Sequence, residues 1–395
     1  MQVKPSKKEI LQIVRNGCFY TALIIEIFLV IADKSDYLFP YEGQVFRITF
    51  VLFGIVLLAT HYTFRERGAI VLFLILGVIS YMVTGRNEMI RVVVMIAACK
   101  SMDMKLVVRV LFWGTLMGCI VIVGASVSGI FGKISLSQQY EASGIDKRYT
   151  FGMGHPNSFY CMVWALMLLG MYVYYNKMKW YTYGLLLLGN VGVFCLTKTL
   201  TCFLVAMITL ATAALLQYYP KFMESRAAEW ISQGGIVLCV VVSVLGAANA
   251  SQVREYYWGR DHSLLTQAYV YLDKILTGRL LTLACTVNAE GTLRTWRLFS
   301  TPGSTYYFDL GWVRLFYWYG IIPALISVVI LMLLLHYCYR KKDAMGVVMI
   351  LTIAIYTIVE AHVVSVYIAR NYLLFLLGMY WYQMLPPKVK NGENV

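Results

Sequence analysis

The sequence has little charge. Only 14% of its 395 residues are Asp, Glu, Lys or Arg, whereas a soluble domain carries about 25%. It has only five histidines and no Asp-x-Asp motif. The loops expected outside the membrane contain no group of His, Asp and Glu at metal-ligand spacing. These absences exclude a soluble globular protein and predict that the chain uses no metal or other cofactor.

The chain also lacks repeats at a fixed period, low-complexity segments and a polar stretch long enough for a soluble domain. We therefore predict one integral membrane domain over residues 1–395. The first apolar run follows a basic start, but no small-residue cleavage site comes after it. This run is expected to be an uncleaved first span.

Apolar residues are abundant, at 60% of the chain, and the mean hydropathy is +0.67. Stretches near the roughly 20 residues that cross a bilayer as a helix recur along the sequence. The stretch 88–99 is short and contains Arg91, so it is either re-entrant or half-spanning. The division between the seventh and eighth spans rests on Thr197 and Lys198. The prediction is an all-α polytopic protein with about twelve transmembrane helices near residues 17–33, 44–61, 68–84, 88–99, 106–129, 155–175, 180–196, 198–219, 233–250, 310–336, 345–363 and 367–385.

Every second predicted loop is basic, from the N-terminal MQVKPSKK to the C-terminal PPKVKNGENV. The positive-inside rule therefore predicts that both termini are cytoplasmic. This alternation accounts for the net charge of +14 without a nucleic-acid partner. One large loop, residues 251–309, falls late in the chain on the outer side.

The predicted outer loops contain more arginine than lysine, against the topological trend. Arginine binds phosphate through two parallel hydrogen bonds, whereas lysine offers a point charge. The pattern favours an anionic ligand at the outer face, although contacts with lipid headgroups or neighbouring acids are an alternative. The outer arginines are Arg86, Arg91, Arg148, Arg254, Arg260, Arg279, Arg294 and Arg297.

The loop 251–309 begins with SQVREYYWGRDHS, in which Arg254 and Arg260 lie among aromatic residues, a mixture suited to sugars and phosphate. An amphipathic helix follows, capped by Asp261 or Ser263. We expect it to lie on the membrane or to close over the bundle, rather than to bind substrate directly. Gly278 is expected to end or kink it just before Arg279. Its predicted apolar face consists of Leu264, Ala268, Leu272, Ile275 and Leu276.

The stretch YTFGMGHPNSFYCM, residues 149–162, gathers polar residues at the start of the sixth predicted span. Gly152 and Gly154 permit a tight backbone and Pro156 suits a first helical turn. His155 and Asn157 then lie at the outer end of the span. They either cap the helix or form a site together with Arg148 and Asp309.

The sequence RYTFGMGHPNSFY resembles the arginine followed by G-H-P-N that marks Wzy-type polysaccharide polymerases, relatives of the O-antigen ligases. The resemblance continues in order through LTGRL, FDLGWVRLFYWYGII and IVEAHVVS. It implies a GT-C-like fold in the bacterial plasma membrane that joins polyprenyl-diphosphate-linked oligosaccharide repeat units at the outer face. The ligase branch has a histidine and asparagine pair where this chain has Asp309 and Leu310, which argues against a ligase.

Such a substrate requires groups that stabilise a leaving diphosphate and a base that deprotonates the acceptor hydroxyl. Arginines can do the first without a metal. Glu360 and His362 lie in an apolar run, where ionisable residues are costly unless functional. If that run is helical, two residues apart point to different faces, so we expect at most one to reach the site. The candidates are His155, Asp309 and Glu360 for catalysis and Arg148, Asn157, Arg254, Arg260, Arg279, Arg314 and His362 for substrate binding.

The expected partners are the lipid-linked repeat units, membrane lipids, and a chain-length regulator and a flippase. Two alternatives stay open, an O-antigen ligase-like transferase and a flippase or transporter of the lipid-linked oligosaccharide. A transporter would show two similar halves and ionisable residues near the bilayer midplane. Glu26, in the first predicted span, is the main residue that fits the transporter.

Overall fold

Helices form most of the protein in the computed structural model, which describes residues 6–140, 144–303 and 306–385. The first half contains α1 (Lys7–Lys34), α2 (Glu42–Leu58), α3 (Phe64–Thr84), α4 (Glu88–Ala98), α5 (Met104–Val127), α6 (Pro156–Tyr174), α7 (Trp180–Thr197) and α8 (Leu200–Tyr218). The second half contains α9 (Arg226–Tyr257), α10 (Leu264–Ile275), α11 (Arg279–Ala284), α12 (Gly311–Tyr319), α13 (Ile321–Lys341), α14 (Ala344–Tyr356) and α15 (Tyr372–Met384). Short 3-10 turns lie at Tyr175–Lys177, Pro220–Glu224, Val287–Ala289, Leu293–Thr295 and Ile368–Arg370.

Each of the twelve predicted spans contains a helix. Eight helices in the described ranges are long and apolar enough to cross a membrane, namely α1, α3, α5, α6, α7, α8, α9 and α13. The chain is therefore a helical, multi-pass membrane protein, as predicted. The helices α2, α4, α14 and α15 have 17, 11, 13 and 13 residues, so the total of twelve spans stays a prediction.

Local sequence signals explain several helix ends. A capping box at Ser6 begins α1, and another at Thr63 begins α3, each satisfying backbone N–H groups that have no partner within the helix. Lys198 adopts a left-handed conformation with φ of 54°. It separates α7 from α8 where the sequence predicts the break.

Helix α4 is the shortest helix in a predicted span. Its eleven residues rise about 16 Å, about half of a hydrocarbon core of roughly 30 Å. Arg91 on α4 is buried, and its Nη2 lies 3.3 Å from Oε1 of the buried Glu26. Thr49 donates a hydrogen bond to the same oxygen at 2.6 Å. Glu26 is thus neutralised within the helix packing, and the length of α4 fits a half-spanning helix.

The tenth predicted span, 310–336, is wrong as one continuous helix. Gly320, with φ of 95°, divides it into α12 and α13. A Cβ atom on Gly320 would lie 2.4 Å from backbone atoms of Phe299, so only glycine permits this crossing. The nine-residue α12 packs inside the protein, and α13 alone is long enough to span.

The eleventh predicted span, 345–363, is also too long. Helix α14 ends at Tyr356, and a largely non-helical segment, residues 357–371, leads to α15. The Thr357 carbonyl accepts a hydrogen bond from the Trp312 N–H at 3.3 Å. A Cβ atom on Gly311 would lie 2.6 Å from the Glu360 carbonyl oxygen. Close packing of α12 against this segment therefore satisfies backbone groups that a longer α14 would have paired within itself.

The predicted outer loop 251–309 contains more regular structure than expected, because α9 continues through Tyr257. Ser263 caps α10 and Gly278, with φ of 79°, lies at the turn before α11, as predicted. Thr266, Val270 and Asp273 form the buried side of α10. Of the predicted apolar face, Leu276 is buried, whereas Leu264 is 86% exposed.

A β-hairpin between α5 and α6 was not predicted. Strands β1 (Ser135–Tyr140) and β2 (Gly144–Tyr149) pair antiparallel, with Leu136 opposite Arg148. Behind it, Gly152 adopts φ of 80°, and a Cβ atom there would lie 3.1 Å from the Ser126 side chain. The Asp36 N–H donates to the Gly152 carbonyl at 3.0 Å. These contacts attach the hairpin to the ends of α1 and α5 and carry the chain from Arg148 to His155.

Candidate functional site

A buried ionic cluster lies where α6, α11 and the segment 357–371 meet. The Glu360 side chain is 11% exposed. Its Oε1 lies 3.2 Å from Nη2 of Arg279, and its Oε2 lies 3.0 Å from Nη2 of Arg370. The Asn157 side-chain amide also donates to Oε1. We call these four residues, Asn157, Arg279, Glu360 and Arg370, the Glu360 cluster.

Three chain elements, α6, α11 and the segment 357–371, position the Glu360 cluster. Asn157 lies in the first turn of α6, and Arg279 is the first residue of α11. Glu360 follows α14, and Arg370 ends the 3-10 turn before α15. Asp273 holds the first turn of α11 in place, because its buried Oδ1 accepts hydrogen bonds from the backbone N–H groups of Leu280 at 2.7 Å and Leu281 at 3.2 Å.

The two arginines keep Glu360 ionised. Burial raises the pKa of the Glu360 carboxyl, but the charges of Arg370 and Arg279 outweigh burial and hold that pKa below its ordinary value. Neither arginine Nε has a hydrogen-bond acceptor among the described residues. Both Nε atoms are buried, so the positive charge of the two guanidiniums, rather than these N–H groups, is what the cluster offers an anionic ligand in this arrangement.

His155 is both a helix cap and a neighbour of the cluster. As the N-cap of α6, it accepts the Asn157 backbone N–H on Nδ1 at 3.1 Å. The ring is at the surface, yet the surrounding protein atoms lower the pKa of His155 below its ordinary 6.5. Arg148 and Arg279 act in the same direction, while Glu360 and Asp309 oppose them. Contacts join His155 to Asn157, Asn157 to Glu360, and Glu360 through Arg279 to Asp309. The inclusion of Arg148 in this group stays a prediction.

Asp309 lies at the exposed edge of this group. Its Oδ2 is 3.8 Å from Nε of Arg279, and its side chain is 54% exposed. It immediately precedes Leu310, the N-cap residue of α12. Asp309 is therefore the carboxylate of the site that solvent reaches most easily, whereas Glu360 is enclosed by its arginines.

Other candidates lie elsewhere. Arg254 donates to the Ala284 carbonyl at 3.0 Å, and Arg260 pairs with Glu255 at 3.3 Å. Both guanidiniums lie 4.9 Å from the centroid of a Trp258 ring. These two arginines thus share a separate surface, and no described contact joins them to Glu360.

Arg314 is 1% exposed, and its Nε donates to the Phe308 carbonyl at 2.8 Å. Its guanidinium carbon lies 3.6 Å from the centroid of Tyr307. These contacts hold the residues just before α12 in place. No contact in the described part of the chain links Arg314 directly to the Glu360 carboxylate.

His362 is buried behind the cluster. Its Nε2 lies 3.8 Å from Sγ of Cys161, and its ring packs against Tyr356 and Trp164 with centroid separations of 4.4 and 5.3 Å. The sequence predicts that the side chains of Glu360 and His362 point in different directions from one helix, but these residues are not helical. Their side chains do have different neighbours, from a non-helical segment.

Arg370 and Asp273 are the residues of the site that the sequence reasoning missed. Arg370 interrupts an apolar run, the same signal that identified Glu360, and so could have been found. Asp273 lies within the helical stretch after Ser263, and only the fold shows that its carboxylate faces α11.

A second layer of polar contacts supports Asn157. Its Oδ1 accepts from Sγ of Cys202 at 2.7 Å, and that sulfur lies 2.7 Å from the Tyr356 hydroxyl. Cys202 and Tyr356 are fully buried. This series of hydrogen bonds sets the orientation of the Asn157 amide, so that its NH₂ group points to Glu360.

In the described residues, no group of three or more His, Cys, Asp or Glu side chains could hold a metal ion. Metal independence nevertheless stays a prediction to be tested. Comparison with protein-family models, curated proteins and solved structures finds no match to this chain.

Proposed function

We propose that this protein is a polysaccharide polymerase that joins polyprenyl-diphosphate-linked oligosaccharide repeat units at the outer face of the bacterial plasma membrane, without a metal. The observation that carries the proposal is the Glu360 cluster, with Arg148, His155 and Asp309 around it. The resemblance around G-H-P-N suggests the reaction class, and three of its four quoted stretches contribute Asn157, Arg279 and Glu360.

The arginines suit a diphosphate leaving group. Arg279 and Arg370 are held by Glu360, and Arg148 lies in β2, on the stretch of chain that leads to His155. Preorganised guanidiniums stabilise negative charge as it develops and need no reorganisation during reaction. Glu360 thus holds two positive groups close together and limits the repulsion between them.

Asp309 is the best-placed base. Two arginines and an amide occupy Glu360, whereas Asp309 is exposed and contacts Arg279 only at 3.8 Å. In the proposed step, the acceptor hydroxyl oxygen attacks the anomeric carbon of the donor sugar and the bond from that carbon to the phosphate oxygen breaks. The hydroxyl proton moves to Asp309, and the diphosphate leaves with the electron pair.

His155 acts as a donor in this scheme. Its Nδ1 accepts the Asn157 N–H, so a neutral ring carries its proton on Nε2. That N–H can donate to a sugar hydroxyl or a phosphate oxygen. The capping and functional interpretations of His155 are therefore compatible, because each uses a different ring nitrogen.

Glu26 gives little support to the transporter alternative. A transport residue near the midplane must exchange its partner during the cycle. Glu26 is paired with Arg91 and Thr49, and Arg91 also donates to the Val366 carbonyl at 3.1 Å. This pairing suits a fixed support for the segment that carries Glu360 and Arg370.

The test is reconstitution of the purified protein in lipid with the lipid-diphosphate repeat unit, followed by electrophoresis of the glycans. Wild type should give a ladder, and Asp309→Asn should elongate about 100-fold to 10,000-fold more slowly. Asp261→Asn is a matched control, because Asp261 accepts hydrogen bonds from Ser263 and Thr266 near the start of α10.

In cells, accumulation of single repeat units after gene deletion supports a polymerase. Normal polymer that is no longer attached to its terminal acceptor would identify a ligase instead. Loss of repeat units from the cell surface would identify a flippase. Either of these outcomes would overturn the proposal.

A further inference from the structure

A cleft of about 280 Å³ lies beside the Glu360 cluster, between the end of α1 and the start of α2. Its walls include Asp33, Ser35, Tyr37, Phe39, Glu42 and Tyr367. Small-molecule pockets are commonly about 300–1,000 Å³, so this cleft suits a ligand of a few rings at most.

The cleft is joined to the Glu360 cluster by the segment 357–371. Tyr367 belongs to that segment and lines the cleft together with Asp33 and Glu42. Arg370 follows three residues later, and the charge of Asp33 acts on it. On the other side, the Cβ position of Gly154 is 3.6 Å from the Ser35 carbonyl oxygen. A ligand in the cleft would therefore lie next to the residues that precede His155.

The chemistry of the cleft is opposite to that of the cluster. Glu42 and Asp33 supply carboxylate oxygens, and Lys34 pairs with Asp33 at 2.9 Å. Tyr37 is 46% exposed and packs against Phe39 with ring centroids 6.2 Å apart. Carboxylates accept hydrogen bonds from sugar hydroxyls, aromatic faces stack on sugar rings, and carboxylates repel phosphate.

We propose that this cleft binds the phosphate-free sugar residues of the acceptor glycan. The inference rests on the proposed function, since it divides one active site into a cationic side for the donor diphosphate and an acidic, aromatic side for the acceptor. An acceptor sugar held beside Asp33 and Tyr367 would present its hydroxyl toward the site that contains Asp309.

The experiment measures binding of the phosphate-free oligosaccharide released from the lipid-linked repeat unit by mild acid. Ligand-observed NMR with the full-length protein in nanodiscs gives the Kd, and empty nanodiscs report any binding to lipid alone. Glu42→Gln removes the charge of one wall, and Tyr37→Leu removes an aromatic face. Their controls are Glu224→Gln, an exposed acid paired with Lys342, and Tyr41→Leu, an exposed tyrosine of the same loop outside the cleft.

We expect wild type to bind the oligosaccharide and each cleft variant to bind it roughly tenfold more weakly. The two controls should match wild type, and the donor lipid-diphosphate should still bind to the cleft variants. Equal binding by the cleft variants and wild type would overturn the inference, as would binding to empty nanodiscs only. If wild type elongates the lipid-linked unit but never binds the free oligosaccharide, the cleft assignment fails and the polymerase proposal stands. If wild type elongates nothing, the proposed function fails first.

Discussion

Replacing Glu360 by glutamine tests whether its charge organises the two arginines. The change keeps the shape of the side chain but removes the negative charge between Arg279 and Arg370, which it contacts at 3.2 and 3.0 Å. Arg279 retains Asp309 at 3.8 Å. Arg370 is 7% exposed, and its contact with Glu360 is the only ion pair found for it in the described ranges. Glu360→Gln therefore removes the ion-pair partner of a buried charge.

The magnitude follows from that burial. Breaking a buried ion pair by removing one partner costs about 3–5 kcal/mol, whereas replacing both partners by apolar or neutral groups is often close to neutral. Glu360→Gln should therefore lower the free energy of unfolding by a few kcal/mol. The double variant Glu360→Gln with Arg370→Met should recover most of that loss.

The assay follows the fraction of detergent-solubilised protein that stays monodisperse after heating, together with glycan elongation. Both the single and the double variant should lack polymer, because the cationic site needs both groups. Glu224→Gln is the control, since exposed pairs contribute about 0–1 kcal/mol. A double variant as unstable as the single one would show that the two side chains are not one energetic unit. Full-length polymer from either variant would remove Glu360 from the site.

Three further predictions concern the rest of the site. Arg148→Ala should abolish long glycan chains at a normal protein level, because a charge-assisted two-point contact is worth about 1.5–3 kcal/mol. Arg148→Lys should restore these chains poorly. Full-length polymer from Arg148→Ala would contradict the prediction. Elongation by purified protein should persist in excess EDTA; activity lost in EDTA and regained with magnesium would refute metal independence. His155→Asn should keep the helix cap but accumulate single repeat units. The pKa of His155 is lower in the folded protein than in the unfolded chain. The stability that His155 contributes is therefore complete above about pH 6.5 and is lost as pH falls through the folded pKa. The thermal stability of His155→Asn should lack this dependence on pH.

The sequence predicts the helical membrane fold well, because hydrocarbon leaves the backbone few alternatives to helices. The break at Lys198 and the turn at Gly278 are also encoded locally. The errors occur where tertiary contacts replace helical hydrogen bonds. Apolar composition continues through residue 363, but packing of Gly311 and Trp312 against Thr357 and Glu360 makes a non-helical segment possible.

The candidate site is predicted less completely than the fold. Arg148, His155, Asn157 and Asp309 are grouped in the prediction by sequence proximity and membrane depth. Contacts through Glu360 and Arg279 join His155, Asn157 and Asp309, while the place of Arg148 stays a prediction. Arg254 and Arg260 are also arginines of a predicted outer loop, but their guanidiniums lie against the Trp258 ring and not at the Glu360 cluster. Residue type and membrane depth therefore select candidates, while lateral position within the bundle, which depends on helix packing, decides which of them meet.

In the proposed polymerase, the charges of the site separate the donor from the acceptor. Near Asp309, Arg148, Arg279 and Arg370 outnumber the two carboxylates Glu360 and Asp309, so the local field favours a diphosphate. Across Tyr367, the cleft is lined by the carboxylates of Asp33 and Glu42, and Lys34 pairs with Asp33. A diphosphate on that side would meet like charge, and a neutral sugar on the arginine side would leave desolvated guanidiniums without an anion. In the proposed reaction the two substrates would meet at the Asp309 carboxylate and the His155 ring, between the cleft and the Glu360 cluster.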